Sequence, residues 1–197
     1  MKRLILTAAI LYGLAAPAWA GFDEGFAAYN RGDYATALRE FRPLAEQGDA
    51  SAQGVLGQMY EQGEGVTQDH AEAVKWYRKA AKQGVASAQI NLGNMYRKGQ
   101  GVPQDHAEAV RWYRKAAEQG HGWSQYNLGL MYGRGLGVPQ DYVQAYMWFN
   151  LAASRLPPGA RVEAVKNRDR VAKLMTPEQV IKAQRLAREW KPKKEGK

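Results

Sequence analysis

A block of 36 residues recurs along this chain, and that period restricts it to folds that stack one structural unit on the next. Ala50-Ser51-Ala52-Gln53 returns as Ala86-Ser87-Ala88-Gln89, and Gln125 continues the series. Leu56-Gly57, Met59-Tyr60 and the loop Gly63-Glu64-Gly65-Val66 recur at the same interval, as Leu92-Gly93, Met95-Tyr96 and Gly99-Gln100-Gly101-Val102, and again through Leu128-Gly129, Met131-Tyr132 and Gly135-Leu136-Gly137-Val138. Between 49–84 and 85–120, 26 of 36 positions are identical, and 121–156 keeps 16 of them relative to 85–120. An earlier, more divergent copy carries Asp33, Ala37, Phe41, Ala45 and Gly48, so a first unit begins near Gly21 with a shorter internal connection.

Each unit reads as two helices. Ala52, Leu56, Met59 and Tyr60 are apolar at helical spacing, and Ala73, Tyr77, Ala80 and Ala81 form a second such stripe. Gly57 and its copies lie inside the first helix, where glycine costs about 1 kcal/mol against alanine. Retention in three copies implies that a neighbouring helix comes close there. The Gly-x-Gly-Val loop ends that helix. Asp69-x-x-Glu72, Asp105-x-x-Glu108 and Asp141-x-x-Gln144 predict capping boxes at the start of the second. Trp76, Trp112 and Trp148 share one position and are expected to pack between units. One helix pair leaves an apolar face uncovered, and stacked pairs bury it in a solenoid.

The run L-G-x-M-Y-x-x-G-x-G-V-x-Q-D, followed by A-V-x-W-Y-x-K-A-A-x-Q-G, resembles the Sel1-like repeat, a relative of the tetratricopeptide repeat. The resemblance covers Gly21 to about Ala153. It implies an all-α chain: an α/α superhelical solenoid of about four helix pairs, at 21–48, 49–84, 85–120 and 121–156, whose concave face binds proteins or peptides. It also implies an adaptor of the bacterial envelope, and it carries over no catalytic residues.

The ends complete the organisation. Residues 1–20 read as a cleavable secretory signal: Lys2 and Arg3, an apolar run from Leu4 to Ala15, then Ala18-Trp19-Ala20 at the cut. That run is shorter than the roughly 20 residues a membrane span needs, so no stable membrane insertion is expected after cleavage. The expectation is therefore a periplasmic, or further secreted, protein. After Pro157-Pro158, helices around Gly159–Leu174 and from Pro177 are expected to form a capping segment at 157–190. Thr176 supplies an N-cap, Pro177 the first helical position and Gln179 the return of a capping box. The unit at 121–156 has Met147 and Leu151 where its predecessors carry Arg111 and Lys115, so those apolar residues are expected to lie under the C-terminal helices. Residues 191–197 read as a solvated basic tail.

Charge and chemistry narrow the function. Residues 21–160 hold 14 basic and 14 acidic side chains, whereas 161–197 hold 12 and 5, so the positive excess sits at the C-terminus. That segment could meet anionic lipid or wall polymer, an alternative to groove binding. Export argues against nucleic acid as the partner. The chain has no cysteine and three histidines, His70, His106 and His121, with no metal-site spacing and no cofactor expected. A hydrolase of the β-lactamase kind would need Ser-x-x-Lys and Lys-Thr-Gly, and neither occurs. The Gly-x-Gly loops lack the phosphate-binding patterns. The chain is expected to be no enzyme. Candidate partner contacts are positions that vary between copies on the first helices: Asn91, Asn127, Asn94, Arg97 and Tyr126. Asparagine can pair with both groups of a peptide backbone, and Arg97 with a carboxylate.

Overall fold

The computed structural model describes residues 18–193. The expected leader lies outside them, apart from the backbone of 18–20, as do residues 194–197 of the basic tail. Among the described residues there are ten helices and no strand. They are α1 (Ala18–Asn30), α2 (Tyr34–Glu46), α3 (Ala50–Gln62), α4 (His70–Lys82), α5 (Ala86–Lys98), α6 (His106–Glu118), α7 (Gly122–Arg134), α8 (Tyr142–Arg155), α9 (Pro158–Ala172) and α10 (Pro177–Glu189). None is long and apolar enough to cross a membrane. The first eight form four antiparallel pairs, each packed against the next.

The pairs close on the glycines. A Cβ at Gly57 would lie 2.5 Å from Tyr77 Cδ1, one at Gly93 2.7 Å from Tyr113 Cε1, and one at Gly129 2.6 Å from Phe149 Cδ1. An aromatic ring of the second helix thus lies against the bare backbone of the first. Tyr77 is 1% exposed, and Tyr113 is wholly buried. In the first unit Phe41 meets Gly25 in the same way, at 3.0 Å.

Three devices join one unit to the next. Gly99 ends α5 at φ +69°, and Gly101, at φ +70°, sets the loop on the start of α4 so tightly that a Cβ there would reach His70 O at 2.2 Å. A glutamine relay comes next: Gln53 donates to Ala45 O at 3.0 Å, and Gln83 donates both to Gln53 Oε1 at 2.8 Å and to Gly48 O at 3.0 Å. Gln89 and Gln119 repeat it. Finally, Trp112 is buried with Ala73, Val74 and Tyr77 of the preceding unit, and Trp148 with Ala109 and Val110. The shared tryptophan position serves inter-unit packing, as expected.

The predicted capping boxes form only by half. Asp69 accepts from Ala71 N and Glu72 N, but the Glu72 carboxylate turns outward to Lys75 instead of returning to the cap, and Glu108 does the same with Arg111. The complete box is the one at Thr176 and Gln179.

At the far end the repeat is broken so that it can be covered. Arg155 stands where Gln83 and Gln119 stood, leaving the buried Gln125 Oε1 without a partner. The Arg155 guanidinium lies over Trp190, 4.6 Å from the ring centre. Helices α9 and α10 both pack on α8. Met147 and Leu151, 6% and 5% exposed, share a core with Leu186, Ala187 and Trp190. Beyond α10 the chain is not simply solvated: Lys193 N donates to Glu118 O at 2.7 Å, and its ammonium reaches Glu118 Oε2 at 2.9 Å.

One substitution with opposite outcomes checks the glycine joint. Gly93→Ala forces a methyl into the Tyr113 ring and should cost about 1–3 kcal/mol. Gly54→Ala meets nothing within 4 Å and should stabilise by up to about 1 kcal/mol. Urea unfolding of the two variants beside wild type reads both signs.

Candidate functional site

The first helices of the two middle units, α3 and α5, approach each other directly. Beside them lies a cavity of about 220 Å³, walled by Phe22, Val55 and Val85, with Gln58, Asn91 and Tyr77 among its polar groups.

The glycine joint explains what reaches this surface. A ring that crosses a first helix at Gly57 or Gly93 delivers its hydroxyl to the groove side. Tyr77 OH donates to Glu61 Oε2 at 2.6 Å. Tyr113 OH donates to Asn94 Oδ1 at 2.7 Å and accepts from Arg97 Nε at 3.2 Å. Tyr29 of α1 adds a third hydroxyl, donating to Glu64 Oε2 and accepting from Gln58 Nε2 at 2.8 Å. The outer units carry Phe41 and Phe149 at the Tyr77 position, so this row of crossing hydroxyls belongs to the two middle units.

Burial raises the hydroxyl pKa of Tyr77 far above the ordinary tyrosine range, and the Glu61 carboxylate raises it further, while the Asn91 amide opposes. Burial and then Glu64 act likewise on Tyr29. Tyr113 is raised by burial, with Arg97 pulling the other way. The groove is thus lined by neutral hydroxyls, acidic beside α3 at Glu61 and Glu64 and basic beside α5 at Arg97.

Three of the five sequence-selected residues come together here. Asn91 lines the cavity next to Tyr77, while Asn94 and Arg97 share the Tyr113 hydroxyl. Asn127 is half-buried at the equivalent place on α7. Tyr126 stands apart. Its position corresponds to Ile90, which is buried in a cluster with Leu128 of the following unit, and the helix following α8 is α9. Tyr126 therefore packs beneath α9, its hydroxyl accepting from Asn167 Nδ2 at 3.1 Å and its ring 5.7 Å from Phe149. The spacing of the sequence places Tyr77 in the core, and its hydroxyl at the groove emerges only from the fold. The available signal was the order Phe41, Tyr77, Tyr113, Phe149, in which only the middle copies gain an oxygen.

His70, His106 and His121 sit on separate units with buried Nδ1 atoms, and burial lowers the His121 pKa. Among the described residues, no three His, Asp or Glu side chains gather in a way that could hold a metal ion.

The model of one family, the Sel1 repeat, matches residues 50–85, 86–121 and 124–155. A Sel1 repeat protein from Oxalobacter formigenes is similar in structure, with a TM-score of 0.69 and 34% identity, over 75% of this chain and 57% of that one. A protective antigen present in uropathogenic Escherichia coli strains, with an SLR fold, gives a TM-score of 0.61 and 32% identity over 88% of this chain and 45% of its own. This chain spans about half the length of these two structures. No curated protein matches it.

The raised tyrosine pKa values have a pH signature. A hydroxyl held neutral in the fold contributes stability that is full below about pH 10, where tyrosine in the unfolded chain begins to ionise, and is lost as pH rises beyond that. Urea unfolding should show stability falling as pH rises above about 10. Tyr77→Phe should cost about 1 kcal/mol near neutrality and make that fall shallower. An unchanged slope in Tyr77→Phe would contradict the assignment.

Proposed function

Because this chain belongs to the Sel1 repeat family, whose repeats generally act as protein-interaction scaffolds, we propose that it is an exported, non-enzymatic adaptor holding a segment of an envelope protein in its concave groove. The observation that carries this reading is the row of tyrosine hydroxyls, threaded over Gly57 and Gly93 and held by residues that differ from unit to unit. The repeat supplies a constant hydroxyl, and the variable neighbours Glu61, Asn91, Asn94 and Arg97 give each unit its own charge and hydrogen-bonding character.

An extended peptide suits such a surface. Helices packed about 10 Å apart meet roughly every third residue of a strand that rises about 3.3 Å per residue. The amides of Gln58 and Asn91 each offer a donor and an acceptor, which a peptide backbone needs in alternation. The walls of the cavity, Phe22, Val55 and Val85, receive an apolar side chain beside them. Support for a periplasmic location comes from the leader pattern in residues 1–20, and support for a role without catalysis from the absence of nucleophile and base motifs in the sequence. Envelope maintenance or signalling is the setting that fits such an adaptor.

Affinity capture from envelope extract tests the groove, with residues 21–197 of the chain as bait beside the double variant Gln58→Ala/Asn91→Ala. The expected outcome is a partner retained by the first and lost by the second, with affinity reduced about tenfold or more. Unchanged helical content in the variant would assign the loss to recognition. Equal capture by both would contradict the reading.

A further inference from the structure

At the fourth unit the groove changes character. Leu130 replaces Gln58 and Asn94, Gly133 replaces Glu61 and Arg97, and Phe149 replaces Tyr77 and Tyr113. These polar positions become apolar or empty, while Asn127 keeps the amide of Asn91. A Cβ at Gly133 would find only Ala145 Cβ at 3.7 Å and Val171 Cγ2 at 4.0 Å, so the glycine leaves room. A cavity of about 130 Å³ results between α7, α8 and α9, with Leu130, Phe149 and Val171 as walls and Leu174 at its rim, 59% exposed.

Two arginines, Arg134 of α7 and Arg170 of α9, also line this cavity. The nearby carboxylates are engaged elsewhere: Asp169 pairs with Arg168 at 2.7 Å, and Glu163 accepts from Asn167 Nδ2 at 3.1 Å. Among the described residues no carboxylate lies within 4 Å of Arg134 or Arg170. Arg170 reaches only the Asn167 amide oxygen, at 3.5 Å. A small apolar cavity therefore carries two cations with no counter-ion.

We propose that this cavity receives the C-terminal residue of the bound segment, an inference that rests on the groove reading above. Its aliphatic side chain enters between Leu130, Phe149 and Val171, and its terminal carboxylate meets Arg134 and Arg170. A chain terminus fits better than an internal acidic residue for two reasons. Only a terminal residue carries a carboxylate and an apolar side chain on the same Cα, matching one small cavity with both features. Helix α9 also forms the far wall, so a chain entering here ends here. The direction of the segment follows: its C-terminus lies at the fourth unit, and a basic residue upstream faces Glu61 and Glu64.

The probe is N-acetyl-glycyl-leucine as the free acid and as the C-terminal amide, titrated into the chain of residues 21–197 and followed by backbone amide NMR shifts. The acid should shift Gly133, Arg134 and Val171, and the amide should bind roughly tenfold more weakly or worse. Gly133→Glu, which fills the cavity and supplies a counter-ion, should abolish the acid's shifts. Arg170→Gln, on the solvent side, should weaken them by a similar factor and serves if Gly133→Glu disturbs the fold. Absent shifts at these residues, equal binding of acid and amide, or wild-type affinity in Arg170→Gln would overturn the pocket. The dipeptide is too short to report on the middle units, so its failure leaves the groove reading to its own capture experiment.

Discussion

An aromatic ring seated on a glycine is the contact from which the rest of this structure follows. At Gly57 and Gly93 the second helix of a unit approaches until a tyrosine ring touches main chain, at separations no Cβ would tolerate. The close approach buries the ring and fixes the angle within each pair. It also carries the Tyr77 hydroxyl through to the groove cavity. Glycine in a helix interior costs about 1 kcal/mol, which the packing of a fully buried ring outweighs. Packing and groove chemistry thus share one cause, and a methyl group at Gly93 would disturb both.

Propagation along the solenoid relies on contacts between neighbours. The Gly-x-Gly loop seats on the preceding second helix, the glutamine relay joins three successive helices, and the tryptophan packs back one unit. Termination reverses these choices one by one. Arg155 withdraws from the relay to cover Trp190, Met147 and Leu151 replace exposed cations so that α10 can cover them, and Phe149 loses the hydroxyl. The fourth unit therefore differs from its predecessors on both faces: outward it receives the C-terminal helices, and inward it offers an apolar cavity.

Much of this architecture was legible in the sequence because identical contacts recur at a fixed interval. The helix pairs, the close approach at Gly57, the tryptophan packing and the cover over Met147 and Leu151 could each be read from residues compared across copies. What escaped depends on geometry between elements. The half-made caps arise because Glu72 has Lys75 one turn away on a solvated face, a competition that the capping pattern does not encode. Tyr126 reads as a variable groove residue from the sequence, and its half-buried place beneath α9 depends on where that helix runs after Pro157. Asn94 and Arg97 were recognisable as variable positions, but their shared partner, Tyr113 OH, arrives from another helix over a glycine. Variation between copies locates a surface, and only the fold shows which of its side chains are already engaged.

The central claim is that recognition takes place on the glycine-crossed, concave side. Site-specific photo-crosslinking in intact cells tests it most directly, with the reactive residue placed at Ser87, exposed beside the groove cavity, or at Lys79, exposed on the outer face of α4. The account predicts a discrete crosslinked partner from Ser87 and none from Lys79. A partner captured from Lys79 and not from Ser87 would contradict it.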